Sequence, residues 1–136
     1  MTEIRFSVTG VPTPQGSKTA YVRGGRAVLV EANKKLPAWR QAVKEAATEA
    51  KPEILISTPC KVDITFFMPR PAKPKWGRYP ASKPDLDKLV RSVFDSLTGI
   101  VWADDALAVE VIARKLWAGI DGNPPNPGCL VFITEK

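Results

Sequence analysis

The sequence predicts an α+β protein: a mixed β-sheet with two main helices packed on one face, in two layers, forming a single domain over residues 1–136. Two segments carry helical periodicity, several short segments carry strand character between Gly- and Pro-rich breaks, and neither an internal repeat nor a linker interrupts them. A chain of 136 residues is one domain by length,. It buries roughly two-thirds of the surface its unfolded form exposes, enough to fold without a metal or disulfide staple.

Ile4–Val8 alternates apolar with polar and reads as a first strand, broken by the turn residues of Gly10–Gly16,. Thr19–Glu31 carries Gly24-Gly25 at its centre and reads as a β-hairpin with a primed turn,. Leu36, Trp39, Val43, Ala46, Ala47 and Ala50 recur at helical spacing, and Pro37 suits only the first turn, so a helix starts near Leu36,. Cys60–Met68 is a second long strand. Pro69–Pro84 holds five prolines and one glycine and reads as a long loop,. Leu86, Leu89, Val90, Val93, Phe94 and Leu97 give the clearest helix, with Gly99 placed for a C′ position,. Leu107–Trp117 reads as a strand buried on both sides, and Cys129–Thr134 as the final strand.

There is no histidine. This removes the Ser-His-Asp triad, the Cys-His pair and every His-ligated zinc site. Catalysis must then rest on carboxylates, lysines, hydroxyls or a hard metal ion. Cys60 and Cys129 stand far apart and read as two reduced, buried thiols,. The first residues are charged rather than apolar and no stretch is long enough to span a bilayer, so the expectation is a cytoplasmic protein without a membrane partner,.

The net charge of +6 favours an anionic partner, and its distribution is more telling,. Ile64–Pro84 has no acid but carries Arg70, Lys73, Lys75, Arg78 and Lys83; Ile4–Val30 has no acid and carries Arg5, Lys18, Arg23 and Arg26. Six of the fourteen acids then fall between Asp85 and Glu110. Basic flanks around an acidic cluster suit a phosphodiester site, with attraction for the backbone and carboxylates for a metal.

The candidate chemistry sits in Lys83-Pro-Asp85-Leu-Asp87-Lys88 and in Trp102-Ala-Asp104-Asp105-Ala. Asp85 precedes the second helix and Asp87 lies in its first turn, so both can converge on one point, as Mg²⁺ requires of oxygen ligands. Lys88 and Arg91, on the polar side of that helix, are placed for phosphate or for steadying the carboxylates. Asp105 poses a geometric question. The helix is some 18 Å long, so Asp105 rejoins Asp85 only through a folded-back segment at Ile100–Asp104 or from a second subunit.

Each feature has a plainer meaning. Asp at a helix start is commonly a cap, and Asp104-Asp105 taken alone is commonly a turn. The ladder Asp87–Arg91–Asp95 is by default a solvated face. The basic loop is either a flexible linker or an arm that tracks phosphates, in which Trp76 or Tyr79 stacks on bases. Gln15–Lys18 is a lesser candidate for backbone contacts.

The run Asp85-Leu-Asp-Lys-Leu-Val-Arg-Ser-Val-Phe-Asp-Ser-Leu-Thr98, followed by Trp102-Ala-Asp-Asp-Ala106, resembles the signature of the RusA family of Holliday junction resolvases. Pro69-Arg70 and the basic loop also resemble that family, especially its phage-borne members. The resemblance implies a RusA-like fold and a homodimeric, Mg²⁺-dependent endonuclease (Mn²⁺ being the alternative ion) that makes paired nicks in four-way junctions or related branched DNA. It implies a phage or prophage gene expressed in a bacterial host. Asp85, Asp87 and Asp105 would be metal-binding catalytic acids, with Asp104 a neighbouring acid. Arg91 stands where the family carries a lysine important for activity. Arg70, Lys73, Lys75, Trp76, Arg78, Lys83, Lys88 and Lys18 would meet DNA. The competing readings are a non-catalytic basic DNA-binding protein whose acids are helix caps, and a metal-dependent nucleotide hydrolase.

Overall fold

A computed structural model of the chain describes all residues except Met1, Ser17 and Ala32, and describes side chains outside 17–23 and 26–32. The elements run β1 (Glu3–Thr9), β2 (Lys18–Arg23), β3 (Arg26–Glu31), α1 (Leu36–Ala50), β4 (Cys60–Met68), α2 (Leu86–Leu97), a 3₁₀ turn (Asp105–Leu107), β5 (Ala108–Trp117) and β6 (Gly128–Glu135). The main sheet has the order β1-β6-β4-β5. β6 lies antiparallel to both β1 and β4, whereas β4 and β5 are parallel. The expected mixed sheet and its two helices are therefore present.

Period-two patterning explains how the sheet divides its faces. Ile4, Phe6 and Val8 of β1, Val62, Ile64 and Phe66 of β4, and Cys129, Val131 and Ile133 of β6 are all buried. With Leu36, Trp39, Val43 and Ala47 of α1 and Leu89, Val93 and Leu97 of α2 they form one core. The other face is wetter. There Arg114 donates to Asp63 Oδ1 at 2.9 Å and to Thr65 Oγ1 at 2.7 Å, and Leu130 is exposed.

Two buried serines of α2 lie in the core. Ser92 and Ser96 each donate back along α2, to the carbonyls of Leu89 and Ser92, both at 2.8 Å. The Ser92 hydroxyl also accepts the Trp39 indole N–H at 3.2 Å, tying α1 to α2. β2 and β3 form a separate two-stranded ribbon. Gly24 and Gly25 both take positive φ, 59° and 77°, as a primed turn demands. Gly99, just past α2, takes φ 87° and so fills the C′ position expected of it,.

One expectation needs correction. Leu107–Trp117 does not supply a strand buried on both sides: β5 is an edge strand, and Val109, Val111 and Ile112 are 61%, 41% and 38% exposed. An apolar run signals burial only when another element covers it, and the first half of this edge strand is left largely uncovered.

Candidate active site

The β4–α2–β5 crossover fixes the site. Because β4 and β5 are parallel, α2 must return antiparallel to both, and its N-terminus lies at the carboxyl ends of the two strands,. There the chain leaves a cleft of about 750 Å³. Its floor includes Met68 and Trp117, the last residues of β4 and β5, which are paired in register. Asp85, Lys83, Lys88 and Lys115 stand around it, with Lys35 on the side of α1. The Gly10–Gly16 turn forms another wall, held where the Gln15 amide donates to the Lys88 carbonyl at 3.0 Å.

Asp85 holds the N-cap position of α2 in extended backbone, yet its carboxylate makes no capping hydrogen bond. Asp87 follows in the first turn, and both side chains are exposed. The plain cap reading therefore fails for Asp85. Lys115 braces the approach to it: Nζ donates to the carbonyls of Ser82 and Pro84, both at 2.8 Å. Lys115 was not among the residues singled out from the sequence. The available signal was parity: Lys115 shares the strand face of Val111, Ala113 and Trp117, the face that β5 turns to the helices, and not that of its neighbour Arg114,.

The second acid pair lies elsewhere. After α2 the chain turns sharply, the Leu97 carbonyl accepting from both Ile100 and Val101. Trp102, fully buried, anchors the turn; its indole donates to Thr98 Oγ1 at 3.2 Å and its ring meets Phe94 edge-on at 5.1 Å. Asp104 then behaves as a cap, accepting from the Ala106 amide at 2.9 Å. Asp105 is half-buried. Burial pushes its carboxyl pKa up, the negative charges of Asp104 and Asp95 add to this, and Arg91 opposes it.

The folded-back segment thus exists, but it carries Asp105 to the level of Arg91 and Asp95 on α2. Asp85 lies about 15 Å from Asp95 along the helix axis, at 1.5 Å per residue. Among the described residues of one chain, no three acids come close enough to share a metal ion. The Asp87–Arg91–Asp95 ladder forms no ion pair among the described residues. The donors themselves suit a hard cation: every candidate is a carboxylate oxygen, Asp85 has its oxygens free of capping, and the like charges crowding Asp105 are what a divalent ion relieves,. The chemistry of the donor set fits Mg²⁺, and its distribution along α2 leaves it in two parts.

The Pro69–Pro84 loop is irregular but tethered. Trp117 Nε1 donates to the Gly77 carbonyl at 2.8 Å, and Arg78 faces Asp121 at 3.5 Å. Arg70, Lys73, Lys75 and Lys83 are exposed, while Trp76 and Tyr79 are 57% and 59% exposed, and Lys75 sits 5.4 Å from the Trp76 ring centroid. The loop therefore presents cations and aromatic rings from a fixed base instead of hanging as a free linker. The side chain of Lys18 lies outside the described residues.

Comparison with known proteins agrees with the motif. The family described as endodeoxyribonuclease RusA matches residues 9–122. The chain is 29% identical over 126 residues to the protein YqaN of Bacillus subtilis (strain 168), which covers 85% of this chain and 88% of that protein. It is 33% identical over 61 residues, 44% of this chain and 47% of the relative, to the crossover junction endodeoxyribonuclease RusA of Lactococcus phage r1t. The matched span takes in the cleft, both acid pairs and the basic loop, and the chain belongs to the RusA family of endodeoxyribonucleases.

Proposed function

We propose that this protein is a Mg²⁺-dependent, structure-selective endonuclease that resolves four-way junctions or related branched DNA by paired nicks, acting as a homodimer. The observation that carries the reading is the uncapped carboxylate of Asp85 at the rim of a lysine-lined cleft. An N-cap carboxylate that makes no cap bond keeps its oxygens open to a cation,. Membership of the RusA family and the name of the phage relative supply the substrate class. The same relative favours a phage or prophage origin and action in the bacterial cytoplasm; no helix among the described residues is long and apolar enough to cross a membrane.

Asp85 and Asp87 hold the ion together with Asp105, and Asp104 keeps the turn that presents Asp105. A bound Mg²⁺, or Mn²⁺ in its place, supplies Lewis-acid polarisation of the scissile phosphate and acidifies water for attack. Arg91 balances the charge of Asp105 and can meet phosphate; its guanidinium stays protonated, so it does not serve as a proton donor. Lys83 and Lys88 attract the backbone at the cleft, and Arg70, Lys73, Lys75 and Arg78 extend that attraction along the loop.

Homodimer formation answers the split donor set. The edge strand β5 leaves Val109, Val111 and Ile112 exposed, and exposed apolar edges are normally covered,. Antiparallel pairing of β5 with that of a second copy would lay the Lys115 end of one strand, beside Asp85, against the Asp105 end of the other. The three acids of each site then come from two chains.

A synthetic four-way junction and a linear duplex, each incubated with Mg²⁺ or chelator, test the proposal. Paired nicks in the junction with Mg²⁺ only are expected. Asp85→Asn is expected to abolish cutting while binding junction as well or better, because a negative charge near phosphate is lost. Undiminished cutting by that variant would remove Asp85 from the catalytic set and, with it, the assignment of this cleft as the cutting site.

A further inference from the structure

The cleft contains more than the metal-binding proposal uses. Its walls carry six proline rings, Pro12, Pro14, Pro69, Pro71, Pro80 and Pro84. Proline is conformationally fixed, so these walls are pre-shaped and lose little freedom on binding. Val11 lines it while 51% exposed, an apolar surface turned to water beside a charged site. The floor is Met68 and Trp117 at the carboxyl ends of parallel strands, the position at which α/β sheets bind their ligands,. Lysines surround it. Lys115 spends two of its three N–H donors on the carbonyls of Ser82 and Pro84, and keeps one,.

A largely apolar recess with Lys35, Lys83, Lys88 and Lys115 among its lining residues complements a single nucleotide, one planar base with its anionic phosphate. The 750 Å³ volume is that of a small-ligand site, which spans roughly 300–1,000 Å³,. A paired, stacked duplex presents no lone base to such a recess. A base must leave the stack to enter it, and the energetic cost is least where pairing is already interrupted, as at a branch point. We propose that the cleft receives one unstacked nucleotide of the DNA substrate, adjacent to the scissile phosphate, with its base against Val11, Met68 and the proline walls and its phosphate at Lys88 and Lys115. The inference rests on the nuclease reading, and it names how that same site selects a branched substrate.

The test uses the full-length protein and synthetic four-way junctions whose cut position has been mapped in Mg²⁺. 2-Aminopurine is placed in turn at each position flanking the cut, and binding is followed in Ca²⁺. One position is expected to change fluorescence as its base unstacks, and removing the base there is expected to weaken binding by roughly tenfold or more. Val11→Trp fills the recess from an exposed position and is expected to abolish the fluorescence change. Cutting that persists while base removal is tolerated equally at every position overturns the cleft assignment alone. A fluorescence change unaltered by Val11→Trp also overturns it. No Mg²⁺-dependent cut at all removes the nuclease reading and this inference with it.

Discussion

Asp85 and Asp104 each stand one residue ahead of a helical turn, and they use their carboxylates differently. Asp104 accepts from the Ala106 amide, whereas Asp85 accepts no capping bond. Asp104→Ala should therefore act on local stability, costing about 1 kcal/mol as the loss of a cap does, measurable by urea denaturation. Asp105 makes a pH prediction. Its carboxyl pKa is raised by burial and by the neighbouring acids, so the folded state binds a proton that the unfolded state has already released. The associated stability is fully present below the unfolded carboxylate pKa and is lost as pH rises through the raised value. In chelator, Asp105→Asn should melt higher than the parent near neutral pH, and the difference should vanish as the acid range is reached. A constant difference across pH would contradict the assigned charge environment. None of this residue-level division was legible in the sequence, because a cap and a ligand use the same amino acid at the same spacing and differ only in where the side chain turns.

Legibility was greater for elements that bury one face. α2 begins at Leu86 and ends at Leu97, where its apolar period begins and ends, and β4 occupies Cys60–Met68 as its β-rich run indicates. Both are decided by local pattern against one core. β5 shows where this fails: its composition suits a covered strand, and coverage is a property of neighbours. Two substitutions test the packing. Leu89, fully buried on α2, should cost about 2–5 kcal/mol on replacement by alanine,. Gly128 allows β1 and β6 to approach, since a Cβ there would meet the Val8 carbonyl oxygen at 2.0 Å. Gly128→Ala should destabilise by about 1–3 kcal/mol or more through overpacking against backbone that cannot yield, and denaturant midpoints would register both.

At the scale of the whole molecule, the basic loop and the split acids give separable predictions. If Lys73 and Lys75 both meet phosphate, replacing the pair by alanine should reduce the slope of log affinity against log salt by about 1.8, at 0.9 per contact. An unchanged slope would place them off the DNA. A mixture of Asp85→Asn and Asp105→Asn proteins, each inactive alone, should recover junction nicking if sites are shared, because one site of each mixed dimer is then wild-type. Sites contained within single chains would stay dead in every combination. The acid motif and the charge pattern were legible from the sequence, while the division of the site between the two ends of α2 depended on the parallel β4–β5 crossover, which no local pattern encodes.

The position of β6 between β1 and β4 has a consequence for synthesis. Among the described strands β1, Glu3–Thr9, pairs only with residues 128–135, so this sheet stays divided until that stretch leaves the ribosome. A product ending before residue 128 would keep the basic loop and both pairs of acids but lack the strand that joins β1 to β4, and such a fragment is expected to cut nothing.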